Sequence, residues 1–415
     1  MNRSLRIDPD RLWAHLMAMA EVGATPAGGS NRQALSDEDA AGRDLFVRWA
    51  EEAGCSLSLD AVGNLFARRE GIEPDMAPIL LGSHLDTQPT GGRFDGVYGV
   101  LAGLEVIETL QDRSVRTTAP IEVAVWTNEE GSRFPVSMMG SAVWAGALGL
   151  EEARNLVDVD GISVGSELDR LGWVGDRALG RPLSGYLELH IEQGPILERS
   201  GSDIGVVTGV QGFRWFTVEL TGFPAHAGPT PMDDRRDPAR PLAGILDGLY
   251  RIVADHGPWA RATPAQFNSE PISPNTVPAR IRFSVDLRHP EATVLDAMDV
   301  EFRRLVAGAA DAHGCGWAVS VDNDSPPVTF DDLCVEAVTA AAGRSGHSHE
   351  RIVSGAGHDA CYLAGRVPTA MVFVPCRDGL SHNESESIQP AQAAAGADVL
   401  LGATLDLAGG LDDGD

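Results

Sequence analysis

Five short stretches hold the side chains best suited to chemistry: His84-Leu85-Asp86, Asp95-Gly96, Glu129-Glu130, His190-Ile191-Glu192-Gln193-Gly194 and Ser381-His382-Asn383-Glu384. Each lies in a loop or just after an apolar, strand-like run. In an open α/β sheet, ligands gather beyond the carboxyl ends of the strands. Loops placed there could bring His84, Asp95, Glu130, His190 and His382 together. Three imidazoles and two carboxylates form a borderline-soft donor set that suits zinc, cobalt or manganese better than calcium or magnesium. Five ligands exceed what one catalytic zinc with an open position takes. Two metals sharing a bridging carboxylate would use them well, each with three protein ligands and an open position. Asp86 sits two residues from His84, so on an extended segment both point the same way and Asp86 can take the second ring proton. Glu129 is then left beside the metals without being a ligand. Adjacent residues after a strand diverge, so one of the pair can bind metal while the other faces the attacking water as a general base.

A lone HxD or Glu-Glu pair is usually structural. Glu51-Glu52 and Glu151-Glu152 lie in helical polar stretches and read as solvated faces, and His15, His256, His289 and His313 read as ordinary surface or helix histidines. What points to a site is the co-occurrence of several pieces at strand ends.

The elements that must position these residues alternate along the chain. Ile79–Leu81 is a short apolar run followed by a helical pattern near Gly96–Leu110. Ile121–Trp126 is followed by one near Gly140–Gly146, and Leu187–Ile191 and Ala370–Val374 are further strand-like runs. The alternation predicts an α/β sheet with parallel strands. Ser36-Asp37-Glu38-Asp39 has the form of a capping box opening a helix that runs to Ala53, with Gly54 behind it. The middle differs. Phe213–Leu220, Ala279–Leu287 and Trp317–Val321 read as strands, and Pro238–His256 and Ala292–His313 as helices between them. Strict alternation in ARIRFSVDL marks a half-exposed antiparallel strand. This compact unit, with its helices on one face, predicts a smaller inserted α+β, ferredoxin-like domain over 212–326. The first domain then comprises 1–211 and 327–415.

Composition bounds the function. With 60 acidic against 32 basic residues, the net charge of −28 would repel nucleic acid and anionic membranes. No run of 18 apolar residues offers a membrane span. The start, MNRSLRIDPDRLWAHLMAMAE, reads as a mature, soluble N-terminus, and the tail GGLDDGD as a frayed end. Five widely spaced cysteines, with no CxxC pair, fit reduced thiols in a cytoplasmic protein.

Taken together, GSHLDTQPTGGRFDG, TNEEGSRF, HIEQGPILE, AHAGPTPMDDRRD and SGAGHDA make the sequence resemble the dizinc amidohydrolases of the hydantoinase/carbamoylase type. That family includes N-carbamoyl-L-amino acid hydrolase, β-ureidopropionase and allantoate amidohydrolase, relatives of the dizinc aminoacylases and carboxypeptidases. The resemblance spans nearly the whole chain. It implies a mixed-sheet catalytic domain in which His84 and His190 bind one metal, Glu130 and His382 the other, and Asp95 bridges. It implies Glu129 as the base and the inserted domain as a lid that also dimerises, making the protein a homodimer. The lid histidine of the AHAG motif, here His226, would hold the oxyanion, often in a neighbouring subunit's site. Asn275 and Arg288 would grip the substrate carboxylate, and Gln193, Gly357 and His358 fall at substrate-contacting positions. Arg288 has a plainer reading as an ion pair with Asp286 or Glu291. Glu384 departs from the family pattern, where proline is common. The expected reaction is hydrolysis of a small ureido acid. N-carbamoyl-L-amino acids come first, with N-carbamoyl-β-alanine or allantoate as alternatives and two divalent ions, zinc first and then manganese or cobalt, as cofactors. A dizinc peptidase or aminoacylase is disfavoured by HIEQG and by the spacing of Asn275 and Arg288. A non-catalytic binding protein is disfavoured because no ligand or base is lost.

Overall fold

The computed structural model describes residues 5–411. The chain divides into two compact units, one running to 208 and resuming at 329, the other covering 209–328. The boundaries expected at 212 and 326 lie just inside the ends of the second unit.

The first unit is built on a nine-stranded sheet. Its centre is four parallel neighbours in the order Ile121–Trp126, Ile79–His84, Gly185–Ile191 and Thr369–Val374. Every residue in these four strands is buried. Strands covered on both faces read as unbroken apolar runs, which is why the sequence reveals them. The sheet is mixed, however. Ser56–Leu59 and Leu65–Arg69 add antiparallel strands beyond Ile121–Trp126. On the other side Ile204–Val210 pairs antiparallel to Thr369–Val374 and also pairs with His349–Ser354. The short outer strands Ser56–Leu59 and His349–Ser354 are partly exposed, so their residue patterns do not stand out.

The helix Val97–Asp112 lies against the central strands. Gly99 permits the close approach, since a Cβ there would sit 2.2 Å from the Leu189 carbonyl oxygen. The capping box expected at Ser36 is half formed. Ser36 accepts from the Asp39 N–H, but Asp39 reaches back to the N–H of Leu35 and to Arg43. Gly410–Leu411 pairs with Arg116–Thr117, so the frayed end expected from Gly409 is not found at these residues, and 412–415 lie outside the described residues. The first four residues of the N-terminal stretch also lie outside them.

The second unit is a four-stranded antiparallel sheet in the order Arg261–Glu270, Arg280–His289, Gly212–Thr221, Gly316–Ser325. The helices Ala239–Asp255 and Ala292–Ala312 complete a β-α-β-β-α-β, ferredoxin-like chain order. Phe216, Val218, Leu220, Phe283 and Val285 pack with Ile245, Leu249, Phe302 and Val306 into its core. The strand Arg261–Glu270 has no counterpart in the sequence reading. It is mostly exposed, carries Pro264, and shifts register between Ala265 and Asn268. An edge strand can carry a proline and forgo alternation. His289 is buried at a strand end and accepts from the Glu291 N–H, so it is a packed structural histidine and not a surface one.

Candidate active site

The strand ends converge as their positions suggest. His84 closes its strand, Glu129 and Glu130 follow Trp126, His190 is next to last in its strand, and His382 follows a short turn after Thr369–Val374. His84, Asp95 and His190 form one group of three donors, and Asp95, Glu130 and His382 a second, with the ligand atoms of each group within 4.8 Å of one another. Asp95 is common to both. Its Oδ1 lies 3.8 Å from His84 Nε2 and 3.1 Å from His190 Nε2, and its Oδ2 lies 3.7 Å from His382 Nε2. His382 Nε2 is 3.3 Å from Glu130 Oε2. Both buried rings are oriented by main-chain carbonyls on their far nitrogens: His84 Nδ1 meets Asp86 O and His190 Nδ1 meets Ile191 O, each at 2.9 Å. A proton fixed on Nδ1 leaves Nε2 as the metal-binding nitrogen. The donor set and its orientation therefore fit divalent metal.

One expected contact is replaced. The Asp86 carboxylate does not take the His84 ring proton, since its nearest oxygen is 3.9 Å from Nδ1 and the Asp86 main-chain carbonyl is closer. Its two oxygens instead accept the N–H groups of Glu129 and Glu130, each at 3.2 Å. Asp86 thus fixes the backbone of the glutamate pair. Glu129 belongs to neither donor group, and its Oε2 lies 3.4 Å from His84 Nε2.

Close packing shapes the loop. At Gly96 φ is +68°, and a Cβ would stand 2.3 Å from the His84 ring. Asp95 lies one residue before Gly96, the N-cap of the Val97–Asp112 helix, whose N-terminal dipole favours a carboxylate. Burial pushes Glu129 well above the usual carboxylate range, reinforced by the charges of Asp359 and Glu130. Burial opposes charge on His190 most strongly of any single cause, but its hydrogen bond to Asp95 and the charges of Asp95 and Glu188 together outweigh it and raise it to about 9. The contact with Glu130 raises His382 to about 9. Burial would raise Asp95, yet His190 and His84 hold it below the ordinary range. Protons therefore balance the carboxylates, and a cation binding there would displace them.

The model of peptidase family M20/M25/M40 matches residues 80–406. A Rhizobium meliloti N-carbamoyl-L-amino-acid amidohydrolase is 47% identical over 404 residues, 97% of each chain. The chain belongs to peptidase family M20/M25/M40, on its hydantoinase/carbamoylase side. A hydantoinase/carbamoylase family amidase from Burkholderia multivorans shares 53% identity at a TM-score of 0.94, over 97% of this chain and 98% of the other. An allantoate amidohydrolase of Bacillus subtilis is 33% identical over 385 residues, 92% of this chain and 93% of its own.

The other residues singled out in this M20 chain fall into two sets. Gln193 joins the cluster: its Nε2 donates to Asp95 Oδ2 at 2.8 Å and to Ser381 Oγ at 3.0 Å. His358 is buried edge-on against the His190 ring, centroids 4.6 Å apart, and bonded to Ser354. A Cβ on its neighbour Gly357 would stand 3.1 Å from Met138 Cε. His226, Asn275 and Arg288 belong to the second unit. There Ala225–His226 pairs with Thr276–Val277, and Ala227 donates to the Asn275 carbonyl, which brings His226 and Asn275 into one short ribbon. Arg288, next to last in the strand Arg280–His289, is bound to Asp286 through Nε and Nη2 at 2.9 and 2.8 Å.

Several supporting groups have no place in the sequence reading. Ser381 donates to Asp95 at 2.5 Å, Gln88 donates to Glu130 at 2.8 Å, and Glu386 accepts the N–H groups of Phe94 and Asp95. Ser381 and Gln88 sit in quoted motifs and Glu386 lies two residues beyond one, so nearness to a ligand is the available signal. Asn128, Gln193 and His382 adopt left-handed backbone angles of 55°, 56° and 53°. Non-glycine residues in that region store strain that clusters at functional sites, and no residue type announces it.

Proposed function

We propose that the protein hydrolyses the carbamoyl group of N-carbamoyl-L-amino acids to amino acid, carbon dioxide and ammonia, with two divalent ions per subunit, zinc first and manganese or cobalt as alternatives. The observation that carries this is the pair of three-donor groups sharing Asp95, with Glu129 beside them and outside the ligand set. When bound, the ions would polarise the ureido carbonyl and acidify the attacking water. His84, His190 and Asp95 would hold one ion, and Asp95, Glu130 and His382 the other. Glu129 takes the water's proton and delivers it to the leaving nitrogen as the C–N bond breaks. Asp86 keeps Glu129 and Glu130 in register for these separate tasks. His226 steadies the oxyanion, and Asn275 and Arg288 hold the substrate carboxylate, with Gln193, Gly357 and His358 lining the substrate. Substrate would compete with Asp286 for the Arg288 guanidinium. The carbamate released breaks down to carbon dioxide and ammonia. The working form is a homodimer.

Steady-state kinetics on matched substrates test the assignment. N-carbamoyl-L-amino acids should give a higher kcat/KM than their D-enantiomers, N-carbamoyl-β-alanine or allantoate. A higher value for allantoate or the β-alanine derivative would overturn it in favour of that substrate.

A further inference from the structure

We infer that the turn Thr25–Gly29 is a strap that fixes the His382 loop, with Thr25 and Glu384 as positioning residues for the Glu130–His382 half of the metal cluster. The inference rests on the metal-site reading above. His382 is the ligand in need of such support. Its side chain is 52% exposed, against 2% for His84 and 1% for His190, and its backbone is left-handed. Two residues on, Glu384 stands half-buried between exposed Asn383 and Ser385. Its Oε1 accepts the Thr25 hydroxyl.

Thr25 is itself held. Its N–H donates to the Gly29 carbonyl at 3.1 Å, and its hydroxyl oxygen accepts the Gly29 N–H at 3.0 Å. Gly29 has no room for a side chain: a Cβ would lie 2.4 Å from the Gly91 carbonyl oxygen and 2.6 Å from Glu384 Cγ. Beyond it the segment runs along the loop that carries His84 and Asp95. Ser30 and Gly91 exchange two main-chain hydrogen bonds, at 2.9 and 3.0 Å. The Arg32 N–H meets Thr87 Oγ1 at 2.8 Å, and its buried guanidinium donates to the Leu85 carbonyl, between His84 and Asp86. One segment therefore grips the rigid loop of the first metal group at one end and the exposed ligand loop of the second at the other. Glu384 is the residue that closes the link.

The test is a calorimetric zinc titration of chelated full-length protein. Wild type should bind two ions. Thr25→Val removes the donor at nearly constant shape, and Glu384→Ala removes the acceptor. In both, the weaker-bound ion should lose about 10–100-fold in affinity, the range for groups that support a ligand, while the tighter one is unchanged. Thr25→Ser and Glu384→Gln, which keep a donor and an acceptor, should bind as wild type. A wild type that binds two ions, with Thr25→Val and Glu384→Ala unchanged, overturns the strap alone. So does equal weakening of both ions together with a lowered Tm, which marks general damage. A wild type that binds fewer than two ions overturns the metal reading and the strap with it.

Discussion

Adjacent Glu129 and Glu130 are chemically identical and differ only in surroundings. Glu130 faces His382 and Glu129 faces His84 from outside the ligand set. Glu129→Gln should therefore keep its metal and lose turnover by about 10²–10⁴-fold, the usual contribution of a general base. Glu130→Gln should lose metal instead. Elemental analysis beside kcat separates the two, and near-normal turnover in Glu129→Gln would remove it as the base. The metal-free protein also has a definite pH response. His190 and His382, raised from about 6.5 to about 9 when folded, stabilise the fold fully below about pH 6.5, and that contribution is lost as pH rises through 9. Glu108 and Glu386, raised to about 8 mainly by burial, act in the same direction. Calorimetry on chelated protein should show Tm falling from pH 6.5 to 9, with a smaller fall once metal replaces the histidine protons. A flat or rising Tm without metal would contradict this charge balance.

Among the elements, those that place the ligands were the most legible. A strand buried on both faces must be an apolar run, and a polar tip such as His84 after Ile79–Leu81 is conspicuous for that reason. Elements without that constraint stayed silent. Arg261–Glu270 is held by pairing with Arg280–His289 and not by burial, so nothing in RATPAQFNSE marks it. The link between Thr25 and Glu384 joins residues distant in sequence and leaves no local pattern. The Asp86 contact failed for a different reason: two-residue spacing gives direction, but not which of carboxylate and carbonyl lies nearer the ring. Gly96 tests the element that sets the geometry. Gly96→Ala adds a Cβ 2.3 Å from the His84 ring at a left-handed φ of +68°. The ring must move, so affinity for the ion held by His84 and His190 should fall by at least about tenfold. Unchanged affinity in a metal titration would mean that the helix start yields and the ligand does not.

At the scale of the whole molecule, the proposed dimer would make catalysis a shared property. If His226 acts in a neighbouring subunit's site, mixing inactive His226→Ala with inactive Glu129→Gln chains should restore part of the activity, because some sites then combine an intact base with an intact lid. No recovery in verified mixed dimers would place His226 in its own subunit's site. In the proposed mechanism, two ions held by the two groups around Asp95 carry the hydrolysis of an N-carbamoyl-L-amino acid. The most direct measurement is ammonia release from such a substrate as chelated protein is titrated with zinc or manganese. Activity should be absent without metal and rise to a plateau at two ions per chain. Full activity in rigorously metal-free protein, or a plateau at one ion, would contradict the account.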